Sequence, residues 1–189
     1  MRPNRLHCLC LLVLFCAWGP GLAAERTVGE RIAGRTFPSV FQAWNPADIR
    51  TPEDPVVTAA RHDLLFHGAA YFGLRWAHRH PGLATGFEEQ SIPRGLQKRH
   101  ALLDHNPNLV LLMEIRYRDA PLRFLPGDHA WWKRDKDGER VMGWQEGGYL
   151  QLDGSQPAYR EHVARRAAAA VESGVVDGIM LDWWNDDDD

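Results

Sequence analysis

The chain has 189 residues, a formal net charge of −3, eight tryptophans and three cysteines. Cys8, Cys10 and Cys16 all lie before residue 25, so the remaining sequence offers no disulfide and no thiolate metal site. Residues 25 to 189 carry −5, four of it in the run Asp186 to Asp189; the rest is nearly neutral, which excludes the electrostatic footprint of a nucleic-acid-binding protein.

Residues 1 to 24 read as a secretory signal. Arg2 and Arg5 supply the basic segment, Leu6 to Trp18 the apolar segment, and Ala23-Ala24 the small-residue cleavage site. The apolar segment is too short to span a bilayer, and Val13-Leu14-Phe15 before Cys16 lack the small residue of lipoprotein processing. The expectation is a secreted or periplasmic protein with no stable membrane anchor, its residues 25 to 189 forming one domain.

Phe37 to Trp44 is an apolar, β-branched and aromatic run closed by Asn45-Pro46, the pattern of a first strand. Asp54-Pro55 reads as a helix cap followed by proline in the first turn. Asp63 to Gly68 is a brief buried strand, and Leu96, His100, Leu102 and Leu103 fit a helix over 92 to 105 that Asn106-Pro107 ends. Leu109 to Tyr117 is the clearest strand. Residues 118 to 154, rich in tryptophan and glycine, predict a long insertion with a β-hairpin near 131 to 144 turning at Lys136-Asp137-Gly138. Ser155 or Gln156 caps a helix that starts with Pro157 and stops at Gly174, and a last strand follows near 178 to 183.

This alternation of strands and helices predicts an α/β fold with a parallel sheet covered by helices. The spacing of side chains sorts the strands into faces. Leu109, Leu111, Met113 and Ile115 should pack on helices, while Val110, Leu112, Glu114 and Arg116 share the other side; Met180 and Asp182 join that second side from the last strand. Glu114 and Asp182 would thus meet at the C-terminal ends of their strands, where parallel α/β barrels carry their sites.

Paired carboxylates are the groups that glycoside hydrolysis needs, one to protonate the leaving oxygen and one to attack, stabilise or activate water at the anomeric centre. The competing structural readings are a helix cap or arginine pair for Asp182 and an ion pair with Arg116 or Arg118 for Glu114. Asp153 and Asp177 are assigned to structure, at a helix start and a turn. Trp44, Trp131, Trp132, Trp183 and Trp184 form a candidate sugar platform, with core filling as the alternative. The histidine spacings, such as His78 with His80 and His100 with His105, match no helical ligand pair, so neither a metal nor a cofactor is called for.

The order Phe41-Gln42-Ala43-Trp44, Ala60 to Leu65, Asn106 to Ile115, Leu152-Asp153 and Asp177-Gly178-Ile179-Met180-Leu181-Asp182-Trp183-Trp184 resembles the hypothetical glycosyl-hydrolase-like proteins. Within them it is most similar to the hypothetical glycosyl hydrolase family 15 type, which is distinct from the glucoamylases. The resemblance implies a TIM-type (β/α) barrel, a polysaccharide or oligosaccharide substrate, and coverage of about the first four βα units. A full barrel needs about 250 residues. Half a barrel should leave Val40, Leu65, Leu112 and Met180 partly exposed. A secreted carbohydrate-binding protein without catalysis, or an inactive truncated gene product, is the alternative.

Overall fold

The computed structural model describes residues 25 to 36, 38 to 43 and 52 to 182. The signal segment, Trp44, Trp183 and Trp184 lie outside the described residues. The fold is mixed α/β around a four-stranded parallel sheet. Its strands are β1 (Phe41–Ala43), β2 (Leu64–His67), β3 (Val110–Glu114) and, after the two short strands introduced below, β6 (Gly178–Met180). They stand side by side in chain order, and every pairing is parallel.

Among the described residues four helices accompany them: α1 (Val28–Ala33), α2 (Pro55–Ala60), α3 (Ile92–His105) and α4 (Pro157–Glu172). Local chemistry explains their limits. Thr27 and Glu30 cap α1 reciprocally, each side chain bonding the other's backbone N–H. Asp54 accepts the Val56 N–H at 2.7 Å with Pro55 in the first turn of α2. Asn106 ends α3 by donating its side-chain amide to the His62 carbonyl at 2.8 Å. Gly174, at φ 71°, takes the left-handed turn after α4. Helix α1 was not anticipated, because six residues carry too little apolar periodicity to announce a helix.

Alternation along β3 holds. Leu109, Leu111, Met113 and Ile115 are all buried, packed with Ala59, Leu102, Ala170 and Val175 from the helical layer and its connections. Leu65 departs from expectation. It pairs with Leu111 in register and joins that same helix-facing core at 1% exposure, so Phe66 rather than Leu65 occupies the inner face of β2. Leu64, Leu65 and Phe66 are consecutive apolar residues without alternation, and pairing with β3 decides their faces. On the inner side Phe41 is 49% exposed and lies 6.3 Å from the Phe66 ring, while Leu112 and Met180 are partly buried; Val40, just before β1, is exposed.

Beneath the sheet, at the N-terminal ends of its strands, Asp177 is nearly fully buried. It accepts from Arg31, from Arg99 at 2.7 Å and from the Leu111 N–H at 2.8 Å. Arg31 also donates to the Leu109 carbonyl, so α1, α3 and the entry to β6 close on one carboxylate. The structural assignment of Asp177 is thereby given its physical content.

Two excursions sit at the other end. Residues 68 to 91, for which the sequence suggested no element, form two short 3-10 turns (Pro81–Leu83 and Glu89–Ser91). Arg166 of α4 staples the first, donating to the Pro81 and Ala84 carbonyls beneath the Trp76 ring, and His162 bonds the Gly82 carbonyl at 2.7 Å. The second excursion contains the expected hairpin. Arg134 bridges Arg140 across a turn in which Gly138 has φ 83° and the Asp135 carboxylate accepts the Asp137 and Glu139 N–H groups. Strands β4 (Asp119–Pro121) and β5 (Tyr149–Gln151) pair antiparallel alongside it, over a second core of Ala120, Phe124, Leu125, Trp132, Leu152 and Tyr159.

Candidate active site

Glu114 is the last residue of β3 and pairs in register with Met180 of β6. Asp182, two residues beyond Met180, falls on the same side of the sheet. A pocket at this mouth is lined by Glu114, Ile115, Arg116, Tyr117, Arg118, Asp119 and Asp182. The two carboxylates named from sequence therefore share one pocket, on the face and at the end that strand alternation indicated.

Burial is the main influence on Glu114 and raises its pKa. The Arg116 guanidinium, 2.9 Å away, opposes this, and the negative charges of Asp182 and Asp119 add to the rise. The result is a carboxyl group biased toward holding its proton, beside a second carboxylate. Gly68, just past β2, borders it, the position of a Cβ there lying 3.9 Å from the Glu114 carboxylate, an ordinary contact distance. Tyr117 is pushed up by burial as well, with Arg118 opposing and Asp182 and Asp119 adding.

Asp119 is the functional candidate that sequence reasoning missed. It stands 3.5 Å from Arg116 and accepts the Trp144 N–H at 2.9 Å. The available signal was its position five residues after Glu114, directly beyond the same strand. Arg116 in turn lies over the Tyr149 ring of β5, 4.7 Å from its centroid.

The tryptophans divide. Trp132 is 1% exposed, belongs to the second core and donates its indole N–H to the Pro126 carbonyl at 2.8 Å; with no open face it is a core residue, not a sugar platform. Trp131 is partly buried among His129, Tyr159 and His162, with centroids 4.7, 5.2 and 4.7 Å away. Neither lines the carboxylate pocket. Asp153 accepts from the Ser155 hydroxyl and the Gln156 side-chain amide in the turn before α4, a structural role.

No protein-family model and no curated protein matches the chain. Solved structures do. A noncanonic maltogenic alpha-amylase, AmyB, from Thermotoga neapolitana is 16% identical with a TM-score of 0.46, over 78% of this chain and 39% of that one. An alpha-amylase from Lactobacillus plantarum is 16% identical at a TM-score of 0.43, over 76% and 38%. A cyclic alpha-maltosyl-(1-->6)-maltose hydrolase from Arthrobacter globiformis is 13% identical at 0.47, over 77% and 44%. The chain spans about two fifths of the length of these proteins. They are amylases and a related hydrolase; similarity to the hypothetical glycosyl hydrolase family 15 type rests on the motifs quoted above alone.

Proposed function

We propose that this chain is the N-terminal part of an extracytoplasmic, TIM-barrel glycoside hydrolase of the hypothetical glycosyl hydrolase family 15 type, with Glu114 and Asp182 as its carboxylate pair. The observation that carries the reading is their convergence in one pocket, with Glu114 raised by burial and Asp182 beside it. A carboxyl raised by burial is suited to the part of the proton donor.

In this reading Glu114 gives its proton to the glycosidic oxygen as the C–O bond breaks, and Asp182 bonds the anomeric carbon or takes the proton of an attacking water. Arg116 opposes the rise in the Glu114 pKa and so favours release of that proton. An oligosaccharide or polysaccharide is the substrate. Trp44, Trp183 and Trp184 are proposed to contribute sugar contacts from the strand ends; the first four βα units of the barrel are taken to lie in residues 25 to 189.

The test is hydrolysis of a panel of oligosaccharides and polysaccharides by the protein and by Asp182→Asn and Glu114→Gln. Loss of at least about 100-fold in kcat in both variants, with folding retained, is expected. Turnover unaffected in either variant removes that residue from the chemistry. Glycan binding with no turnover in the unaltered protein favours the non-catalytic binding reading.

A further inference from the structure

An exposed aromatic side chain is informative when the fold has gone to some length to hold it still. Trp144 is 45% exposed, more open than Trp76, Trp131 or Trp132 among the described tryptophans. Arg166 stacks on Trp76 at 3.9 Å and Phe87 lies 4.2 Å from it, Trp131 is boxed in by three rings, and Trp132 is buried. Trp144 is the most open indole of these four, although Trp76 also lines a pocket, with Leu74 and Pro81.

The ring is nonetheless fixed. One side rests on Gly147, where a Cβ would come within 2.2 Å of the indole carbons. Its edge meets the Tyr149 ring in a T-shaped contact, 5.1 Å between centroids at 82°. Its backbone N–H is held by the Asp119 carboxylate, and Gly143 lets the chain approach, since a Cβ there would stand 2.6 Å from the Asp119 Cβ. These supports all lead back to the pocket: Tyr149 carries Arg116, Arg116 pairs with Glu114, and Asp119 lines the cavity itself.

The geometry points to Trp144 as the stacking platform for a pyranose ring whose neighbouring residue lies over the mouth of the Glu114–Asp182 pocket. This rests on the proposed carbohydrate reading of that pocket and adds to it the residue that fixes where the sugar chain runs. A pyranose has an apolar C–H face and a polar hydroxyl rim. A rigid open indole beside a pocket lined by three carboxylates and two arginines matches both surfaces at once. Because the ring is already immobilised, little conformational entropy is lost on binding.

The test measures binding of maltohexaose, cellohexaose and xylohexaose by calorimetry, separately from hydrolysis, for the unaltered protein, Trp144→Ala and Trp144→Phe. For at least one sugar, Trp144→Ala is expected to weaken binding about tenfold while Trp144→Phe retains most of it. Thermal unfolding reports whether each variant is folded. Should Trp144→Ala fail to fold, acrylamide quenching decides: the sugar should shield a part of the tryptophan emission that is missing from Trp144→Phe. Equal binding by Trp144→Ala and the unaltered protein, or binding of none of the three sugars, overturns the assignment. Absence of turnover with Trp144-dependent binding intact would count against the hydrolase reading alone.

Discussion

Arg116 lies 2.9 Å from Glu114 and lowers the pKa of a carboxyl group that burial, Asp182 and Asp119 together raise. Burial wins, and the sign of that balance has consequences for stability. A carboxyl whose folded pKa is raised favours the fold most when protonated. Its contribution is complete below the ordinary carboxylate pKa and is lost as pH rises through the raised value. Glu114→Gln mimics the protonated form, and Asp119 remains at 3.5 Å to partner Arg116. The variant should therefore be more stable than the unaltered protein at pH 7, by about 0.5 to 2 kcal/mol, with the gap closing toward pH 4. Urea unfolding at the two pH values checks this; a less stable variant at pH 7 would show that the ion pair outweighs desolvation.

Removing Arg116 acts on the same balance from the other side. In Arg116→Met the opposing charge is gone, so the Glu114 pKa should climb further. If Glu114 is the proton donor, the alkaline limb of kcat/KM against pH moves upward. A limb that stays in place excludes Glu114 from that role, whatever the overall rate.

Asp177 answers to the opposite sign. Burial would raise its pKa, but hydrogen bonds from Arg31, Arg99 and the Leu111 N–H outweigh burial and hold it below the usual carboxylate range. A depressed pKa gives stability that is present above the unfolded value and is lost as pH falls through the folded one. Acid should thus loosen the junction of α1, α3 and β6 below about pH 4. Asp177→Ala leaves the buried guanidinium groups of Arg31 and Arg99 without this carboxylate, a change that costs on the order of 3 to 5 kcal/mol. Chemical denaturation of the variant gives the number, and a loss under about 1 kcal/mol would mean that Glu25, which pairs with Arg99 and lies 3.8 Å from Arg31, can alone satisfy both arginines.

Gly95 sets a helix-propensity gain against a steric cost. Alanine inside α3 would ordinarily stabilise by about 1 kcal/mol relative to glycine. Here the added Cβ would sit 2.8 Å from Val175 Cγ2 and 3.0 Å from the Phe72 carbonyl oxygen, and backbone cannot swing aside as a flexible side chain can. Gly95→Ala should be net destabilising, by about 1 to 3 kcal/mol. A raised melting temperature would show that α3 can shift away from Val175 and Phe72 at little cost.

Much of the scaffold was legible in the chain itself. The limits of α3 at Ile92 and His105 follow from local chemistry, a proline in its first turn and Asn106-Pro107 beyond its end, and those of α2 and α4 likewise. Strand β3 is long enough that its alternation assigned Leu111 and Met113 to the helices and Glu114 to the other face. Its parity, carried to β6, was sufficient to bring Glu114 and Asp182 to one mouth. What tertiary structure decided were the features with no local signature. Leu65 turned to the helices because a four-residue strand of consecutive apolar side chains takes its register from its neighbour. Trp132 went into a core that exists only once residues 118 to 154 fold against α4, and Asp119, whose place just beyond β3 could be read, is held at the pocket by the N–H of Trp144, twenty-five residues away. Spacing along a chain reports which face a residue occupies on its own element. Which faces are then covered, and which charges come to share a low-dielectric site, depends on contacts between segments that no short window of sequence contains.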